Sequence, residues 1–311
     1  MRSWMRVVRL SNLCIVAFSQ FFIYFMVLLP AFHLSGIPAS LDSIHLSLLV
    51  LTTVLIAAGG YVINDIKDMP IDRQNRPEKV VVGKVFSLKT AYWAYWLITI
   101  IGLSIALYLA LYIENLPLVL IYPAAVGLLW WYSNNLKKTP FWGNLVVAVF
   151  CAFVTGIVWF AERNSLAELR LHHPDIFRRT TLVLSGYMFF AFISTFYREI
   201  VKDMEDIHGD KAYGCRTLPI VHGLAKCKRI SIGIGLFLLS TLLAGMVLCY
   251  TAGWWVDLLF VGLSIALPLV YSLLLLKPGE QYSDFRKASR LAKLVMMNGL
   301  LYLLVFYFHR F

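Results

Sequence analysis

Charged residues are scarce in this sequence, and several long stretches lack them altogether. Of its 311 residues, 14% are Asp, Glu, Lys or Arg, whereas 60% are hydrophobic. Soluble domains carry about 25% charged residues, so this composition excludes an ordinary soluble fold. The uncharged stretches are 11–32, 43–64, 90–113, 115–136, 141–161, 180–197, 230–256 and 258–276. A ninth apolar stretch, 291–309, is interrupted only by Lys293 and His309.

The length of these stretches indicates helices that cross a membrane. A helix needs roughly 20 apolar residues to span the hydrocarbon core, and only helices and closed barrels pair all their backbone groups there. Because the runs are continuous rather than alternating, we predict an all-α integral membrane protein with nine transmembrane helices. The basic segment MRSWMRVVRLSN resembles the start of a secretory signal. The run that follows it has full span length and no small-residue cleavage site, which predicts a retained first helix.

Cysteine is also infrequent, and its spacing excludes two classes of site. The five cysteines are Cys14, Cys151, Cys215, Cys227 and Cys249, and no two form a C-x-x-C pair. We therefore predict neither a disulfide framework nor a zinc site. Small apolar packing residues are the simplest interpretation of all five.

The distribution of the 28 basic residues predicts an orientation in the membrane. If residue 1 is cytoplasmic, 23 of them lie in cytoplasmic segments and five outside. This bias predicts a cytoplasmic N-terminus and an external C-terminus. We expect a bacterial-type inner membrane as the location. The net charge of +11 is then mostly a topology signal. Because the basic residues are scattered among loops, we expect no nucleic-acid partner.

No linker or low-complexity segment divides the chain, so we predict a single membrane domain over residues 1–311. Long, charged loops follow predicted helices 2 and 6, whereas shorter, mainly basic loops follow helices 4 and 8. This recurrence is consistent with a pseudo-repeat of helices 1–4 and 5–8, closed by a ninth helix.

Acidic residues concentrate in two segments that this orientation places on the same side of the membrane. Nine of the 17 acids lie within 65–78 and 199–210. The first segment reads N-D-x-x-D-x-x-x-D, with Asn64, Asp65, Asp68 and Asp72 as its defined positions. The second segment offers Asp203, Asp206 and Asp210.

Helix-breaking residues complicate the geometry of both acidic segments. Positions four apart share a helix face, which would align Asn64, Asp68 and Asp72. Pro70, however, predicts that the first helix ends or kinks near Lys67. A bend is likewise expected at Gly209 of the second segment. We therefore predict two acidic cytoplasmic loops that cap the helices.

Carboxylate clusters of this kind suit a magnesium-bound diphosphate. Mg²⁺ takes hard oxygen ligands and is usually held by one or two carboxylates together with substrate phosphates. Nearby Lys and Arg residues would neutralise the remaining phosphate charge. The apolar helices could hold a long hydrocarbon tail. The alternative is that both segments are merely solvated, charged loops that enforce topology.

The motifs resemble those of the UbiA superfamily of intramembrane prenyltransferases. NDIKDMPIDRQNRP (64–77) is similar to its first aspartate motif, and REIVKDMEDIHGDKAYGCRTLP (198–219) is similar to its second. WYSNNLKKTPFWGNLVVA (131–148) resembles the tyrosine–lysine loop that follows the fourth helix. All three motifs occur in order, so the resemblance covers nearly the whole chain.

This resemblance implies a nine-helix bundle around a central cavity, in which a prenyl chain passes from an allylic diphosphate to an acceptor. It implies magnesium as cofactor, with two ions bridged by diphosphate. The implied metal ligands are Asn64, Asp68, Asp72, Asp203, Asp206 and Asp210, of which Asp68, Asp72, Asp206 and Asp210 are the catalytic residues. The implied diphosphate-binding residues are Asn64, Arg76, Tyr132, Lys137 and Lys202.

The spacing from Tyr132 to Lys137 is one residue longer than in members that prenylate aromatic acceptors. Together with the DRQNRP extension, it looks closer to the branch that prenylates isoprenyl-glyceryl phosphate. We therefore expect an isoprenyl diphosphate and that acceptor as partners, beside the lipid bilayer and without an obligate protein partner. Prenylation of an aromatic quinone precursor is the first alternative.

Other functional classes fit the sequence less well. A transporter with an anion site requires ionisable residues deep within its spans, where this chain has few. A haem or quinone carrier requires facing histidines inside the bundle, whereas the histidines here fall near span ends or in loops. CDP-alcohol phosphotransferases share a D-x-x-x-D motif, but their D-G-x-x-A-R element is missing from this sequence.

Overall fold

The computed structural model describes residues 2–75, 80–277 and 281–310, with all side chains in these ranges except those of residues 2, 3, 71, 72, 74, 75 and 310. Regular structure in the described ranges is helical, apart from an isolated bridge between Val82 and Phe86. The α-helices are α1 (Arg2–Val7), α2 (Leu10–Ile23), α3 (Leu29–Ser35), α4 (Ser43–Asn75), α5 (Leu88–Tyr112), α6 (Leu118–Asn134), α7 (Trp142–Ala161), α8 (Arg163–His172), α9 (Pro174–Ala212), α10 (Leu218–His222), α11 (Leu224–Thr251), α12 (Trp255–Phe260), α13 (Leu267–Leu276) and α14 (Tyr282–Arg310). Two π-helical segments, Tyr24–Leu28 and Val261–Ala266, join α2 to α3 and α12 to α13.

Eight helical segments within the described ranges are long and apolar enough to cross a membrane. They are Leu10–Ser35, Ser43–Pro70, Leu88–Tyr112, Trp142–Ala161, Pro174–Ala212, Leu224–Thr251, Trp255–Leu276 and Tyr282–His309. The remaining predicted span, 115–136, forms α6, which has 17 residues and is at the short end of the range that crosses the hydrocarbon core. The chain is an all-α, multi-pass integral membrane protein, as its composition predicts.

Two helices extend well beyond the apolar stretches that define them. α4 has 33 residues and α9 has 39, so at 1.5 Å per residue they are about 50 and 58 Å long. Both exceed the roughly 30 Å hydrocarbon core. Their final turns carry the two acidic segments, so the prediction that these segments are loops is wrong.

The expected helix breaks are absent from both places. Pro70 lies inside α4, and Asp72 follows it within the same helix, so the predicted end near Lys67 is wrong. Proline removes a single hydrogen bond, the one to the carbonyl of Ile66. Ile66 is itself buried against the surrounding apolar side chains, so packing holds the helix together on the N-terminal side of this defect. Gly209 likewise lies inside α9, which continues to Ala212, so the chain stays helical at this position.

The chain forms two compact units. Unit 1 comprises Met1–Tyr24, Ala31–Leu136 and Gly156–Arg178, and unit 2 comprises Phe25–Pro30, Lys137–Thr155 and Arg179–Phe311. The first acidic segment belongs to unit 1 and the second to unit 2.

In unit 1, the segment that follows α4 is packed back onto the end of that helix. Val82 joins Val62, Ile63 and Ile66 of α4 in one buried apolar cluster, and Phe86 stacks on Trp4 with ring centroids 4.1 Å apart. Gly83 adopts φ +81°, and a Cβ at this position would lie 2.5 Å from the sulfur of Met69. The close approach therefore needs glycine both for its backbone conformation and for space.

Elsewhere in unit 1, a buried carboxylate ties a loop to the start of α8. Glu162 is fully buried and accepts hydrogen bonds from the backbone N–H groups of Ser40 at 2.8 Å and Leu41 at 2.9 Å. The hydroxyl of Tyr24 donates to the carbonyl of Leu41. Burial raises the pKa of Glu162, and the two backbone donors, which favour the ionised form, oppose that rise.

In unit 2, the buried face of α9 forms the centre of an apolar cluster. Tyr197, Ile200, Val201 and Met204 follow the spacing of one helix face and pack with side chains of α7, α11, α13 and α14. A polar chain crosses this cluster, in which the hydroxyls of Tyr197 and Ser272 are 2.7 Å apart and Ser272 donates to the carbonyl of Ala288 at 3.1 Å. The packed face fixes the rotation of α9 about its axis and so determines which side its acidic residues occupy.

Candidate active site

The first acidic segment forms a stripe on α4. At about 100° per residue, Asn64, Asp68 and Asp72 lie within roughly 80° of one another. The side-chain amide of Asn64 donates to a carboxylate oxygen of Asp68 at 2.7 Å, and both side chains are half-buried. Asn64 therefore orients Asp68. The side chain of Asp72 is outside the described atoms, as is the whole of Arg76.

Asp65 lies on the flank of this stripe and pairs with the N-terminal region. Arg9 Nη2 is 3.4 Å from Asp65 Oδ1, and the guanidinium lies 4.9 Å from the ring centroid of Tyr61. Arg9 occupies the break between α1 and α2 in a left-handed conformation, with φ 51°. This contact attaches the first transmembrane helix to the helix that carries the first stripe.

The second acidic segment forms a stripe on α9. Asp203, Asp206 and Asp210 lie within roughly 60° of one another when projected along the axis, and Asp203 borders the buried face. The side-chain amide of Asn144, at the start of α7, donates to Asp203 Oδ2 at 2.8 Å. Asn144 is 8% exposed, so this contact is shielded from solvent and holds Asp203 in place.

The middle basic loop is attached to the second stripe within unit 2. The backbone N–H of Arg216 donates to the carbonyl of Lys138 at 2.8 Å. The backbone N–H of Cys215 in turn donates to the carbonyl of Asp210 at 3.0 Å. These bonds join the loop that contains Lys137 to the end of the second stripe.

The other two predicted diphosphate ligands lie on separate helices. Lys202 lies on α9 with its side chain 43% exposed, and its Nζ is 3.8 Å from Glu199 Oε2. Tyr132 lies near the end of α6, in unit 1, and is half-buried.

The first stripe offers carboxylate and amide oxygens and the second offers carboxylate oxygens, and both donor sets fit Mg²⁺. In Asn64, the amide nitrogen donates to Asp68, and the amide oxygen is the atom of the type that coordinates Mg²⁺. Among the described residues, no three His, Cys, Asp or Glu side chains come together as a ready-made cation site.

Three neighbours of the second stripe do not stand out in the sequence. Asn144 is a neutral amide at the start of an apolar run, and nothing in its spacing distinguishes it from a packing residue. In the sequence, Arg198 and Glu199 look like ordinary charges of a loop. In the structure they lie about one turn before Asp203 on the same helix.

Comparison with known proteins identifies the family. The model of the UbiA prenyltransferase family matches residues 15–297, which include both stripes and the middle loop. The chain belongs to the UbiA prenyltransferase family.

UbiA-family relatives of known name include archaeal proteins that match most of the chain. A digeranylgeranylglyceryl phosphate synthase of Saccharolobus solfataricus is 30% identical over 304 residues, which cover 97% of this chain and 95% of the relative. A synthase of the same name from Methanothermobacter thermautotrophicus is 35% identical over 178 residues, covering 57% of this chain and 56% of the relative.

Solved UbiA structures have the same fold. A digeranylgeranylglyceryl phosphate synthase superposes with a TM-score of 0.67 at 21% identity, covering 99% of this chain and 98% of the other. A UbiA homologue of Archaeoglobus fulgidus, solved with DMAPP and Mg²⁺, gives a TM-score of 0.57 at 14% identity, covering 97% and 99%. The family match and the Saccharolobus relative show that the chain is a prenyltransferase.

Proposed function

We propose that this UbiA-family enzyme transfers a prenyl chain from an allylic isoprenyl diphosphate to an isoprenyl-glyceryl phosphate and releases diphosphate. The observation that carries the choice of acceptor is the match to the Saccharolobus synthase, which is 30% identical over 97% of this chain. The oxygen ligands of the two stripes and the cations near them support the choice of a diphosphate as donor.

In the proposed site, each stripe contributes carboxylates to a magnesium-bound diphosphate. Asn64, Asp68 and Asp72 would hold Mg²⁺ from α4, and Asp203, Asp206 and Asp210 would hold it from α9, with two ions in all. Bound Mg²⁺ supplies Lewis acidity and charge neutralisation at the leaving diphosphate. Asn64 and Asn144 keep Asp68 and Asp203 oriented through their 2.7 and 2.8 Å hydrogen bonds.

The cationic and phenolic side chains act on the leaving group. We assign Arg76, Lys137, Lys202 and Tyr132 to the oxygens of the diphosphate, where charge increases as the allylic C–O bond breaks. The acceptor hydroxyl oxygen forms the new C–O bond at the allylic carbon. Its proton leaves with the diphosphate product, so that atoms and charges balance.

The apolar spans provide the environment that this chemistry needs. We propose a single domain of nine spans around a central cavity, which would shield the allylic cation from water. We place the N-terminus and both stripes on the cytoplasmic side of a bacterial-type inner membrane, because the basic residues are concentrated in those segments. The enzyme is proposed to act without an obligate protein partner.

An assay with purified protein tests this function. Labelled allylic diphosphates of several lengths are offered with an isoprenyl-glyceryl phosphate, a dihydroxynaphthoate or a hydroxybenzoate, each with and without Mg²⁺. We expect Mg²⁺-dependent transfer to the glyceryl phosphate. Transfer to an aromatic acceptor alone would replace our choice of acceptor, and transfer undiminished by EDTA would contradict the proposed magnesium site.

Two variants test the assigned carboxylates in the same assay. Asp68→Ala and Asp206→Ala should each abolish turnover, because each removes an oxygen ligand from one of the stripes. Both variants should still purify from the membrane with the wild-type elution profile. Activity like that of wild type in both variants would remove this assignment of the site.

A further inference from the structure

A charged cluster continues the second acidic stripe into α9, beyond the residues that the family motif assigns. Glu199 projects onto the same face as Asp203, Asp206 and Asp210, and one turn separates it from Asp203. Its side chain is 12% exposed, with Oε1 2.5 Å from Arg198 Nη1 and Oε2 3.8 Å from Lys202 Nζ. Two cations therefore flank one carboxylate, so the group of Arg198, Glu199 and Lys202 carries a net positive charge beside the acidic stripe.

Arg198 has donor capacity that the described part of the chain does not use. Its Nε is buried and has no hydrogen-bond partner among the described residues. A buried donor without a partner is destabilising, and native structures rarely leave one without a reason. Its Nη1 is held by Glu199, so the guanidinium is oriented before any ligand binds.

The position of Arg198 along α9 matches the boundary between an acyl-like tail and a polar head group. The uncharged stretch 180–197 ends immediately before it. Asp203 lies five residues further on, about 7.5 Å along the axis. A cation at this boundary is placed for a phosphate that is attached to a hydrocarbon chain, apart from the carboxylates that take the metal-bound diphosphate.

The negative charge of the acceptor phosphate explains why a cation is needed beside the acidic stripe. A phosphate monoester carries a charge between about −1.5 and −2 at neutral pH, so the carboxylates of the stripe repel it. A guanidinium offers two parallel N–H donors in a geometry that matches phosphate oxygens. Of the two cations, Arg198 is the more buried. Its side chain is 25% exposed, whereas that of Lys202 is 43% exposed.

We propose that Arg198, oriented by Glu199, binds the phosphate of the acceptor lipid and selects acceptors that carry one. This inference rests on the proposed function, because it assumes that the acceptor is an isoprenyl-glyceryl phosphate. The proposal assigns the two phosphorylated substrates to different side chains. Lys202 and the stripes bind the donor diphosphate, and Arg198 binds the phosphate of the acceptor.

A comparison of two acceptors tests the proposal. The kcat/KM is measured for an isoprenyl-glyceryl phosphate and for the same isoprenyl glycerol without its phosphate, in wild type and in Arg198→Gln. Wild type should prefer the phosphorylated acceptor, and Arg198→Gln should lower this preference at least about tenfold, the expected effect of losing a charged hydrogen bond. The KM for the allylic diphosphate should stay within about twofold of wild type, whereas Lys202→Ala should raise it.

Matched variants separate recognition from folding. Arg198→Lys keeps the charge without the planar fork and should retain part of the preference. Arg229→Ala removes an exposed arginine of α11 and should leave both acceptors unaffected. If wild type transfers prenyl to the phosphorylated acceptor and Arg198→Gln keeps the full preference, or raises only the KM for the diphosphate, the proposal is overturned. If wild type itself makes no product with this acceptor, the proposed function fails instead.

Discussion

The amide of Asn144 donates to the carboxylate of Asp203, and this contact orients one of the proposed metal ligands of the second stripe. Residues that orient metal ligands typically contribute 10–100-fold to metal affinity or activity. We therefore expect Asn144→Ala to lower kcat/KM about 10–100-fold and to raise the Mg²⁺ concentration for half-maximal rate. The measurement is a Mg²⁺ titration of prenyl transfer by the purified variant.

Asn164→Ala is the matched control for Asn144→Ala. It also removes an amide that donates to another segment, in this case to the carbonyl of Ile113 at 3.3 Å, but it belongs to α8, which carries neither stripe. Its Mg²⁺ requirement should equal that of wild type. An unchanged Mg²⁺ requirement in Asn144→Ala would refute the positioning role.

Glu162 predicts a pH dependence of stability. Because burial raises the pKa of its carboxyl group, the folded protein keeps this proton over a range in which the unfolded chain has lost it. The stabilisation is present below the unfolded pKa of about 4.3 and is lost as pH rises through the higher folded value. We expect Glu162→Gln to flatten this part of the Tm-against-pH curve, measured in detergent by thermal unfolding. Parallel curves for wild type and variant would contradict the prediction.

The sequence singles out residues whose chemistry is distinctive, whereas residues whose proposed role comes from their surroundings do not stand out in it. Asp68 and Asp206 stand out because carboxylates are rare in a chain with only 17 acids. Asn144 and the buried Nε of Arg198 do not stand out, because an amide or an arginine near a span end is common. Only the neighbours that folding supplies distinguish them.

Whole helices show where local sequence rules gave the wrong result. Pro70 and Gly209 predicted interruptions, yet α4 and α9 continue for five and three residues beyond them. A single missing hydrogen bond is a local defect, whereas burial along α4 and α9 acts over many residues. As a result both acidic segments keep helical spacing, which places acids three or four residues apart on one face.

Packing around α11 provides a test of the unit 2 core. A Cβ at Gly235 would lie 2.5 Å from Leu273 Cδ2 and 3.1 Å from Tyr197 Cε2, whereas one at Gly233 meets nothing within 4 Å. Gly235→Leu should therefore destabilise the protein by about 1–3 kcal/mol and lower its Tm. Gly233→Leu, on an exposed face of the same helix, is the control and should keep the wild-type Tm. Equal Tm values for both variants would show that the contact with α13 is not as described.

Over the complete chain, hydropathy was sufficient for the fold class and for most spans. Eight of the predicted stretches form helices long enough to cross a membrane, and the remaining one forms α6, with 17 residues. Long uncharged runs predict spanning helices reliably here, because an unpaired backbone group in lipid costs several kcal/mol and a helix pairs all of them within one segment. Hydropathy does not predict how far α4 and α9 extend beyond their apolar stretches, because their final turns are rich in charge.

The central claim is that carboxylates from both stripes act on one diphosphate, and a double-mutant cycle tests it most directly. The kcat/KM for the allylic diphosphate is measured in Asp68→Asn, Asp206→Asn and the double variant at saturating Mg²⁺. We predict that each single change lowers the rate at least about 100-fold and that the double variant is no worse than the more damaging single change, because residues that act as a unit are not additive. Losses that simply multiply, or a single variant with the wild-type rate, would contradict a shared diphosphate.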